Sequence, residues 1–198
     1  MHKIFIFLFS CAFLSGCAGV RTHHSARKGL SEVLSGESAV VEPQGDYVMR
    51  GPLFVPPTRR ASAEGFMWPL RVGEVSSYFG ARPRDFHEGI DIRAKKRSSV
   101  YCARDGKVIY SGRGVKGYGN LILVQHVGDY VSVYAHNDKN LIKRGEIVRR
   151  GQLIALLGAT GRATGPHLHF EVRMKQKAVD PLSVLPHDAP VAFMPARH

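Results

Sequence analysis

The side chains of this chain that could do chemistry lie in three short segments: His87 and Asp91, the tripeptide 134–136 ending in His136, and the tripeptide 167–169 with His167 and His169. A hydrolytic zinc site needs three protein ligands from His, Asp or Glu and leaves a fourth position open for water. Together, the five polar residues are enough for three ligands and two further residues that work beside the metal. They predict a zinc-dependent hydrolytic site.

Spacing limits how these residues can meet. Residues two apart in a strand project from one face, so His167 and His169 point together. His87 and Asp91 would be about 13 Å apart in an extended strand, too far for donors that each lie about 2.0–2.2 Å from one ion. The segment must therefore bend, and Gly89 tolerates the backbone angles that a bend requires. Spacing leaves open which of the two C-terminal histidines is the ligand.

A longer series of motifs surrounds these residues. In chain order they are Trp68-Pro69-Leu70, Ser77-Tyr78-Phe79-Gly80-Ala81-Arg82, Phe86-His87-Glu88-Gly89-Ile90-Asp91-Ile92, Asp105-Gly106-Lys107-Val108, Gly117-Tyr118-Gly119-Asn120, Tyr134-Ala135-His136, Gly158-Ala159-Thr160-Gly161, Gly165-Pro166-His167-Leu168-His169-Phe170-Glu171-Val172 and Val179-Asp180-Pro181. From about Phe66 to Leu185, the series resembles the lysostaphin and LytM type of zinc metallopeptidases, which cut peptidoglycan cross-links.

This resemblance implies a role for each polar residue. It implies zinc bound by His87, Asp91 and His169, with His136 and His167 as an unligated catalytic pair. Zinc lowers the pKa of a bound water towards about 7 and polarises a carbonyl, and a neutral histidine can accept a proton. Either His136 or His167 could be that base, while the other stabilises the developing oxyanion. The sequence does not divide these two roles.

The elements that must position the site are short and rich in β-formers. Predicted strands cover 71–79, 90–93, 100–103, 106–111, 120–126, 130–136, 147–149, 152–157 and 167–174. No long amphipathic helix interrupts them, so we expect an all-β fold of antiparallel sheets. The resemblance specifies a small antiparallel β-sandwich with the zinc groove on top. We expect five glycines to shape the loops around the groove: Gly117, Gly119, Gly158, Gly161 and Gly165.

The N-terminus predicts export and lipidation. Lys3 precedes an apolar run, 4–14, that is too short to span a bilayer but suits the core of a signal peptide. The run closes in Leu14-Ser15-Gly16-Cys17, which resembles a bacterial lipobox, with an ordinary secretory signal as the alternative. Cys17 would then be lipidated, and Ala18 after it resembles the signal for the periplasmic leaflet of the outer membrane.

Four segments follow from these observations. Residues 1–16 are predicted to be a lipoprotein signal peptide, 17–65 a lipidated N-terminus and extended linker, 66–185 the metallopeptidase domain and 186–198 a C-terminal tail. Some 48 flexible residues span on the order of 35–40 Å, enough for a tethered domain to reach nearby cell wall. Residues 31–34 could form a short helix, which would be marginal alone. The linker could also lie in the groove and block it.

The chain is strongly basic, with 28 Lys and Arg against 16 Asp and Glu and a formal charge of +12. Two clusters stand out, Arg93 to Arg97 and Lys143 to Arg150. Nucleic acid is one partner that explains such basicity, but an exported lipoprotein meets cell wall and anionic lipid, so no nucleic-acid partner is predicted. The alternative is a solvated surface without a partner.

Two further residues are predicted to be structural. With Cys11 in the leader and Cys17 acylated, Cys102 would have no disulfide partner and is predicted to be a small buried hydrophobe. His126 follows the apolar run 121–125 and is predicted to pack at the end of a strand.

Three classes of function fit these features. The first is a zinc-dependent peptidoglycan endopeptidase, with D-alanyl to diaminopimelate cross-links favoured over oligoglycine bridges. The second is a non-catalytic domain of the same type that activates cell-wall amidases. The third is a lipoprotein that holds wall to membrane without cutting it. The complete set of expected ligands places the endopeptidase first.

Overall fold

The computed structural model of this protein describes residues 29–35, 65–83, 85–188 and 193–195. This part of the chain forms one α-helix, one short 3-10 helix and fourteen strands. The helices are α1 (Leu30–Ser35) and the 3-10 helix Pro181–Ser183. The strands are β1 (Gly73–Ser77), β2 (Gly80–Ala81), β3 (Phe86–His87), β4 (Ile90–Arg93), β5 (Ser99–Tyr101), β6 (Gly106–Gly112), β7 (Asn120–Gln125), β8 (Tyr130–Asn137), β9 (Lys139–Asn140), β10 (Ile147–Val148), β11 (Leu153–Leu156), β12 (His167–Met174), β13 (Lys177–Val179) and β14 (Phe193–Pro195).

Most strands belong to one large sheet. Its order is β10-β6-β7-β8-β12-β4-β1-β14, with β13 paired to β12, and only the β1–β14 pair among the described strands is parallel. A three-stranded sheet has the order β5-β11-β9, and β2 and β3 form a small hairpin. The predicted all-β fold of antiparallel sheets is confirmed. Strand β14 lies within the segment predicted as a C-terminal tail.

The main core joins one face of the large sheet to the three-stranded sheet. Strand alternation decides which side chains enter it, because successive residues point to opposite faces. Ile122 and Val124 of β7 point into this core, where they meet residues such as Ile154 of β11. Their neighbours Leu121 and Leu123 point to the opposite face of the large sheet. Both faces of the central strands are therefore apolar.

Helix α1 covers part of that opposite face. Its Leu30 is buried, and Val33 and Leu34 pack with it against a smaller apolar cluster that includes Leu123 and Val133. The sequence predicts a marginal helix over 31–34, and packing against the sheet supplies the stability that so short a helix lacks alone. Residues 30–35 of the predicted linker are thus docked rather than extended.

The remaining N-terminal predictions lie outside the described residues. They are the signal peptide 1–16, the lipidated Cys17 and the linker segments 18–28 and 36–64. In the described part of the chain, neither helix has the length and hydropathy needed to cross a membrane.

Cys102 is fully buried in the main core, as predicted. Its Sγ lies 3.0 Å from the carbonyl oxygen of Arg104, to which the thiol donates. Burial raises the pKa of the Cys102 thiol to about 11. The group stays protonated at neutral pH, which argues against a nucleophilic or ligand role.

His126 follows directly after β7, and its side chain is buried. Its Nδ1 lies 2.9 Å from the carbonyl oxygen of Asp105 and its Nε2 2.7 Å from the hydroxyl of Ser132. The ring also meets Phe66 edge to face at 5.3 Å between centroids. The structure thus places His126 in a packing role at a strand end.

The burial of His126 predicts a pH-dependent stability. Burial lowers the pKa of His126 to about 4, so the unfolded chain binds more protons than the folded one between about pH 4 and 6.5. We expect the free energy of unfolding to fall as the pH drops through this window, by at most about 3 kcal/mol from this residue. Urea unfolding of the wild type and of His126→Asn at pH 7.5 and pH 4.5 measures it. Equal losses in both proteins would contradict the assignment.

Candidate metal centre

Two adjacent strands of the large sheet supply the centre of the site. β12 pairs with β4 in a register that sets His169 opposite Asp91, and with β8 in a register that sets His169 opposite Ala135. The side chains of Leu168 and Phe170 enter the main core, so alternation sends His167 and His169 to the other face of the sheet. The prediction that these two histidines project together agrees with the structure.

His87 reaches the same point from the β2–β3 hairpin. The chain leaves β3 at His87 and enters β4 at Ile90, so the predicted bend lies between them. The bend does not use the tolerance of Gly89 for unusual backbone angles, because Gly89 does not adopt a left-handed φ. Glycine is needed there because a Cβ would collide with the carbonyl oxygen of Phe170 and come within 2.9 Å of Cγ of Glu171.

His136 reaches the site through a break in strand alternation. Tyr134 points into the main core, so regular alternation would send His136 there too. Instead, β7 and β8 shift register between the pairs Ile122–Tyr134 and Asn120–Asn137, which leaves one extra residue on β8. His136 has a φ of 62°, which is uncommon for a non-glycine residue. A bulge of this kind re-aims a side chain, and here it brings His136 beside His167, with ring centroids 4.8 Å apart.

Three donor atoms converge at the centre. His87 Nε2 lies 3.2 Å from Asp91 Oδ1 and 3.1 Å from His169 Nδ1, and His169 Nδ1 lies 2.9 Å from Asp91 Oδ1. Donors around a tetrahedral zinc at about 2.0–2.1 Å stand roughly 3.3 Å from one another. The spacing and the donor types therefore fit a zinc ion.

In His87 and His169, the ring nitrogen that faces away from the three converging donors also makes a hydrogen bond. This bond decides which nitrogen carries the hydrogen and which has a free lone pair. Nδ1 of His87 lies 2.7 Å from the carbonyl oxygen of Tyr78, which can only accept, so this nitrogen carries the hydrogen. Nε2 of His169 lies 3.0 Å from a carboxylate oxygen of Glu171 and donates to it in the same way. In their neutral forms, both rings then turn a lone pair towards Asp91. Converging lone pairs of this kind are arranged to bind a cation.

The charged groups around the three donors keep Asp91 ionised, which is the form that binds a cation. Although burial opposes ionisation, contacts with the His169 and His87 rings, which favour the carboxylate when those rings carry a positive charge, hold the pKa of Asp91 well below its usual range. Arg82 binds the other carboxylate oxygen, with Nη2 3.1 Å from Oδ2, which leaves Oδ1 facing the two rings. Burial also opposes protonation of His169, yet hydrogen bonds with Asp91 and Glu171 raise its pKa to about 9. A proton and a metal ion therefore compete for its Nδ1 near neutral pH.

A buried group of polar side chains supports His169 from behind. Glu171 is fully buried, and although burial opposes ionisation, the hydrogen bond with His169 lowers its pKa. The carboxylate accepts a hydrogen bond from the Tyr118 hydroxyl at 2.8 Å and one from Arg173 at 2.5 Å. Arg173 also binds Glu88 at 3.1 Å. This group fixes the tautomer and orientation of His169, as carboxylate partners of metal-binding histidines do.

A match to a family model identifies the domain. Residues 85–181 match the model described as "Peptidase family M23". "Lipoprotein NlpD" of Yersinia enterocolitica is 44% identical over 96 residues, which cover 48% of this chain and 98% of that relative. The chain belongs to peptidase family M23. This membership confirms the predicted resemblance to the lysostaphin and LytM type.

Solved structures of two peptidases share the fold. A zinc-containing peptidase from Vibrio cholerae is 37% identical with a TM-score of 0.54, over 62% of this chain and 41% of that one. Lysostaphin from Staphylococcus simulans is 30% identical with a TM-score of 0.54, over 57% of this chain and 49% of that one.

Longer relatives carry a different kind of name. "Murein hydrolase activator NlpD" of Escherichia coli is 44% identical over 119 residues, or 60% of this chain and 31% of that relative. This chain therefore spans only about a third of the length of that protein. The activities of the M23 relatives are described by two kinds of name, peptidase and activator.

His136 and His167, which lie beside the three donors, are oriented by the same kind of hydrogen bond. Nδ1 of His136 lies 2.8 Å from the carbonyl oxygen of Thr160, and Nδ1 of His167 lies 2.9 Å from that of Gly165. Each Nδ1 therefore carries a hydrogen in the neutral ring and leaves Nε2 able to accept a proton. Burial lowers the pKa of His136 to about 4, so this ring is neutral at neutral pH. Both residues have the chemistry of a general base.

The predicted loop glycines act in two ways. Gly117, Gly119 and Gly161 have φ values of 92°, 67° and 75°, which favour glycine. Gly158 lies against the backbone of Asp138, where a Cβ would not fit. At Gly165 a Cβ would have no neighbour within 4 Å, so this position carries no such constraint.

The sequence does not identify the residues that hydrogen-bond to the candidate zinc ligands. Glu171 could have been found, because it follows His169 by two residues and so shares its face of the strand. Tyr118 and Arg82 lie 53 and 9 residues from the carboxylates that they bind. Both lie in motifs of the resemblance, but their binding partners depend on the tertiary fold, and nothing in their local sequence signals those partners.

Proposed function

We propose that this protein is a zinc-dependent peptidoglycan endopeptidase that cuts peptide cross-links, with D,D-endopeptidase activity. The observation that carries the proposal is the convergence of three lone pairs from His87, Asp91 and His169 at one point, with His136 and His167 beside it. Such a set combines a zinc site with two proton-transferring groups.

In this proposal the chain supplies binding, orientation and proton transfer. Zinc, when bound, provides Lewis acidity for amide hydrolysis. Nε2 of His136 or of His167 takes up the proton released in the reaction, and the other ring stabilises the oxyanion by donating a hydrogen bond. The backbone carbonyls of Thr160 and Gly165 hold the two rings in place. Both roles remain open to either histidine.

A second candidate function is activation of a separate cell-wall amidase. The name of the Escherichia coli relative favours it, because that protein is called a murein hydrolase activator. The sequence features favour the endopeptidase over this function, but the named relatives support activation better than the endopeptidase. The complete donor set supports the endopeptidase instead. The two functions differ in whether zinc is needed.

We further propose that the protein is a cell-envelope lipoprotein. The lipobox-like segment ending in Cys17 supports this, and the Yersinia relative is named a lipoprotein. A lipid on Cys17 would hold the M23 domain at the outer membrane, facing the periplasm and the peptidoglycan. Its partners would then be peptidoglycan and an amidase or other regulator, with no nucleic acid.

Digestion of purified peptidoglycan tests both functions at once. The full chain in detergent is incubated with peptidoglycan in the presence of zinc, in the presence of a chelator, and as the His169→Ala variant. Each arm is run with and without a purified cell-wall amidase, and the released muropeptides are identified by mass. We expect zinc-dependent loss of cross-linked dimers without amidase, and no such loss with His169→Ala.

Two other outcomes overturn the endopeptidase. Intact dimers in all arms, with more amidase products when the chain is present, would assign the activator function. That gain should then survive in His169→Ala, because activation needs a folded surface and not a metal. Intact dimers and no gain in amidase products would remove both functions.

A further inference from the structure

The groove of the M23 domain has two arms that meet at the candidate metal centre. One arm, of about 490 Å³, is lined by His87, His136, His169 and their neighbours. The other, of about 720 Å³, runs away along β4 and the segment 164–167. Both arms share Arg82, Asp91, Thr164 and His167. A bound peptide that crosses the centre would therefore occupy both arms.

The two arms differ in charge. The first contains the carboxylates of Asp85, Glu88 and Glu171 besides that of Asp91, against two cations, Arg82 and Arg162. The second has Arg93, Lys95 and Lys96 in its wall, and its only carboxylate is that of Asp91, a candidate metal ligand. We call this second arm the basic arm and define it by Arg93, Lys95 and Lys96.

The cations of the basic arm are available to a ligand. All three side chains are exposed. Within the described residues, neither Arg93 nor Lys95 has an acidic group within 4.0 Å, although Glu74 lies opposite Arg93 in the β1–β4 register. Lys96 has only a long contact of 3.9 Å with Asp138. Unpaired cations in a concave site attract anions more strongly than cations spread over a convex surface.

Register places the first of these cations next to the reacting groups. Arg93 follows Asp91 by two residues on β4, so it lies on the same face about 7 Å further along. It is also directly opposite His167 in the β4–β12 pair. An anion held by Arg93 would thus lie within about two peptide residues of the bond next to His167.

We propose that the basic arm binds free carboxylate groups of the substrate peptide, close to the bond that is cut. Arginine and lysine form charge-assisted hydrogen bonds with carboxylates, and the planar guanidinium of Arg93 matches a carboxylate in two-point contact. The proposal rests on the endopeptidase function and adds a preference to it. The peptide on this side of the scissile bond carries at least one free carboxylate, and an amidated peptide binds less well.

The second basic cluster offers a matched control. Lys143 and Arg144 are exposed like the cations of the basic arm, but they line neither arm of the groove. Removing them changes the net charge by the same amount as removing Arg93 and Lys95. A general effect of charge would therefore change both double variants equally, whereas a carboxylate site would change one.

The test uses two synthetic cross-linked peptides that differ only in one group near the scissile amide, a free carboxylate or its primary amide. Binding to the zinc-loaded full chain is followed by fluorescence anisotropy, and cleavage by mass. We expect the free acid to be favoured about tenfold in Kd and in kcat/KM at low salt. The factor should fall to about twofold in Arg93→Gln/Lys95→Gln and stay near tenfold in Lys143→Gln/Arg144→Gln.

The outcomes separate this proposal from the function on which it rests. Cleavage of both peptides at equal rates would overturn the carboxylate site and leave the endopeptidase intact. Preferred binding of the free acid without cleavage would support the site and overturn the endopeptidase. Equal loss of preference in the two double variants, or no binding of either peptide, would overturn the carboxylate site.

Discussion

Replacing His169 with alanine is expected to remove zinc from the protein and to abolish cleavage of cross-linked muropeptides. His169 supplies one of three converging donors, and its ring is held by Asp91 on one side and by Glu171 on the other. Loss of an outer partner of a ligand alone costs about 10–100-fold in metal affinity, so loss of the ligand itself should exceed 100-fold. Competition with a chromophoric chelator measures the zinc Kd, and the muropeptide assay measures turnover.

His136→Ala is the control that separates loss of zinc from loss of turnover. His136 lies beside the three donors without belonging to them, since its Nδ1 donates to Thr160. We expect zinc to bind within about tenfold of the wild-type Kd, while turnover falls by about 10²–10⁴-fold, the range for loss of a general base. His187→Ala, at an exposed position, should change neither quantity.

These variants can contradict the assigned roles separately. A His136→Ala protein that cleaves at near-normal rates would remove His136 from the reaction. A His169→Ala protein that still binds one zinc ion tightly would remove His169 from the ligand set. If His136→Ala lost zinc as completely as His169→Ala, the division into ligands and working residues would be wrong.

Period-two alternation in the sequence is enough to predict the longer strands. The predicted strands over 90–93 and 167–174 have the observed bounds, because both combine alternating or apolar β-formers with clear turn residues. The sequence does not predict β2, β3, β9, β13 and β14, which have only two or three residues each. A segment of two or three residues is too short to show a period of its own, and its pairing depends on strands that are distant in sequence. The equally short β5 and β10 are predicted only as parts of longer strands, 100–103 and 147–149.

The same distinction applies to the site. Alternation correctly puts His167 and His169 on one face, because both lie within a regular strand. It would have buried His136, which the bulge in β8 turns out of the core. The resemblance to a family supplies that residue where the strand pattern cannot. Bulges and left-handed residues break local rules at sites where a side chain must be re-aimed.

Gly89→Ala is expected to destabilise the fold by about 3 kcal/mol, although it adds a single methyl group. A Cβ at this position would collide with the carbonyl oxygen of Phe170 and lie 3.0 Å from its carbonyl carbon. These atoms belong to the backbone of β12 and have no other rotamer to adopt. The adjoining strands β4 and β12 would have to separate, and their pairing holds Asp91 beside His169.

Gly165→Ala is the matched control. Gly165 lies next to the same site, but no atom beyond the two adjoining residues lies within 4 Å of a Cβ placed there, and its φ is not in the left-handed region. Urea unfolding should therefore show a lower midpoint for Gly89→Ala and a wild-type midpoint for Gly165→Ala. Equal midpoints in both variants would show that β4 and β12 can separate at little cost.

The zinc affinity of Gly89→Ala distinguishes a local from a global effect. The new methyl group would also press on Cγ of Glu171, at 2.9 Å, and Glu171 holds the ring of His169 in place. We therefore expect the zinc Kd of the folded variant to rise by about 10–100-fold, as for loss of an outer partner. An unchanged Kd with lower stability would mean that the strands yield away from the site. Close packing of Gly89 would then be a requirement of the fold alone, and Glu171 could move without disturbing His169.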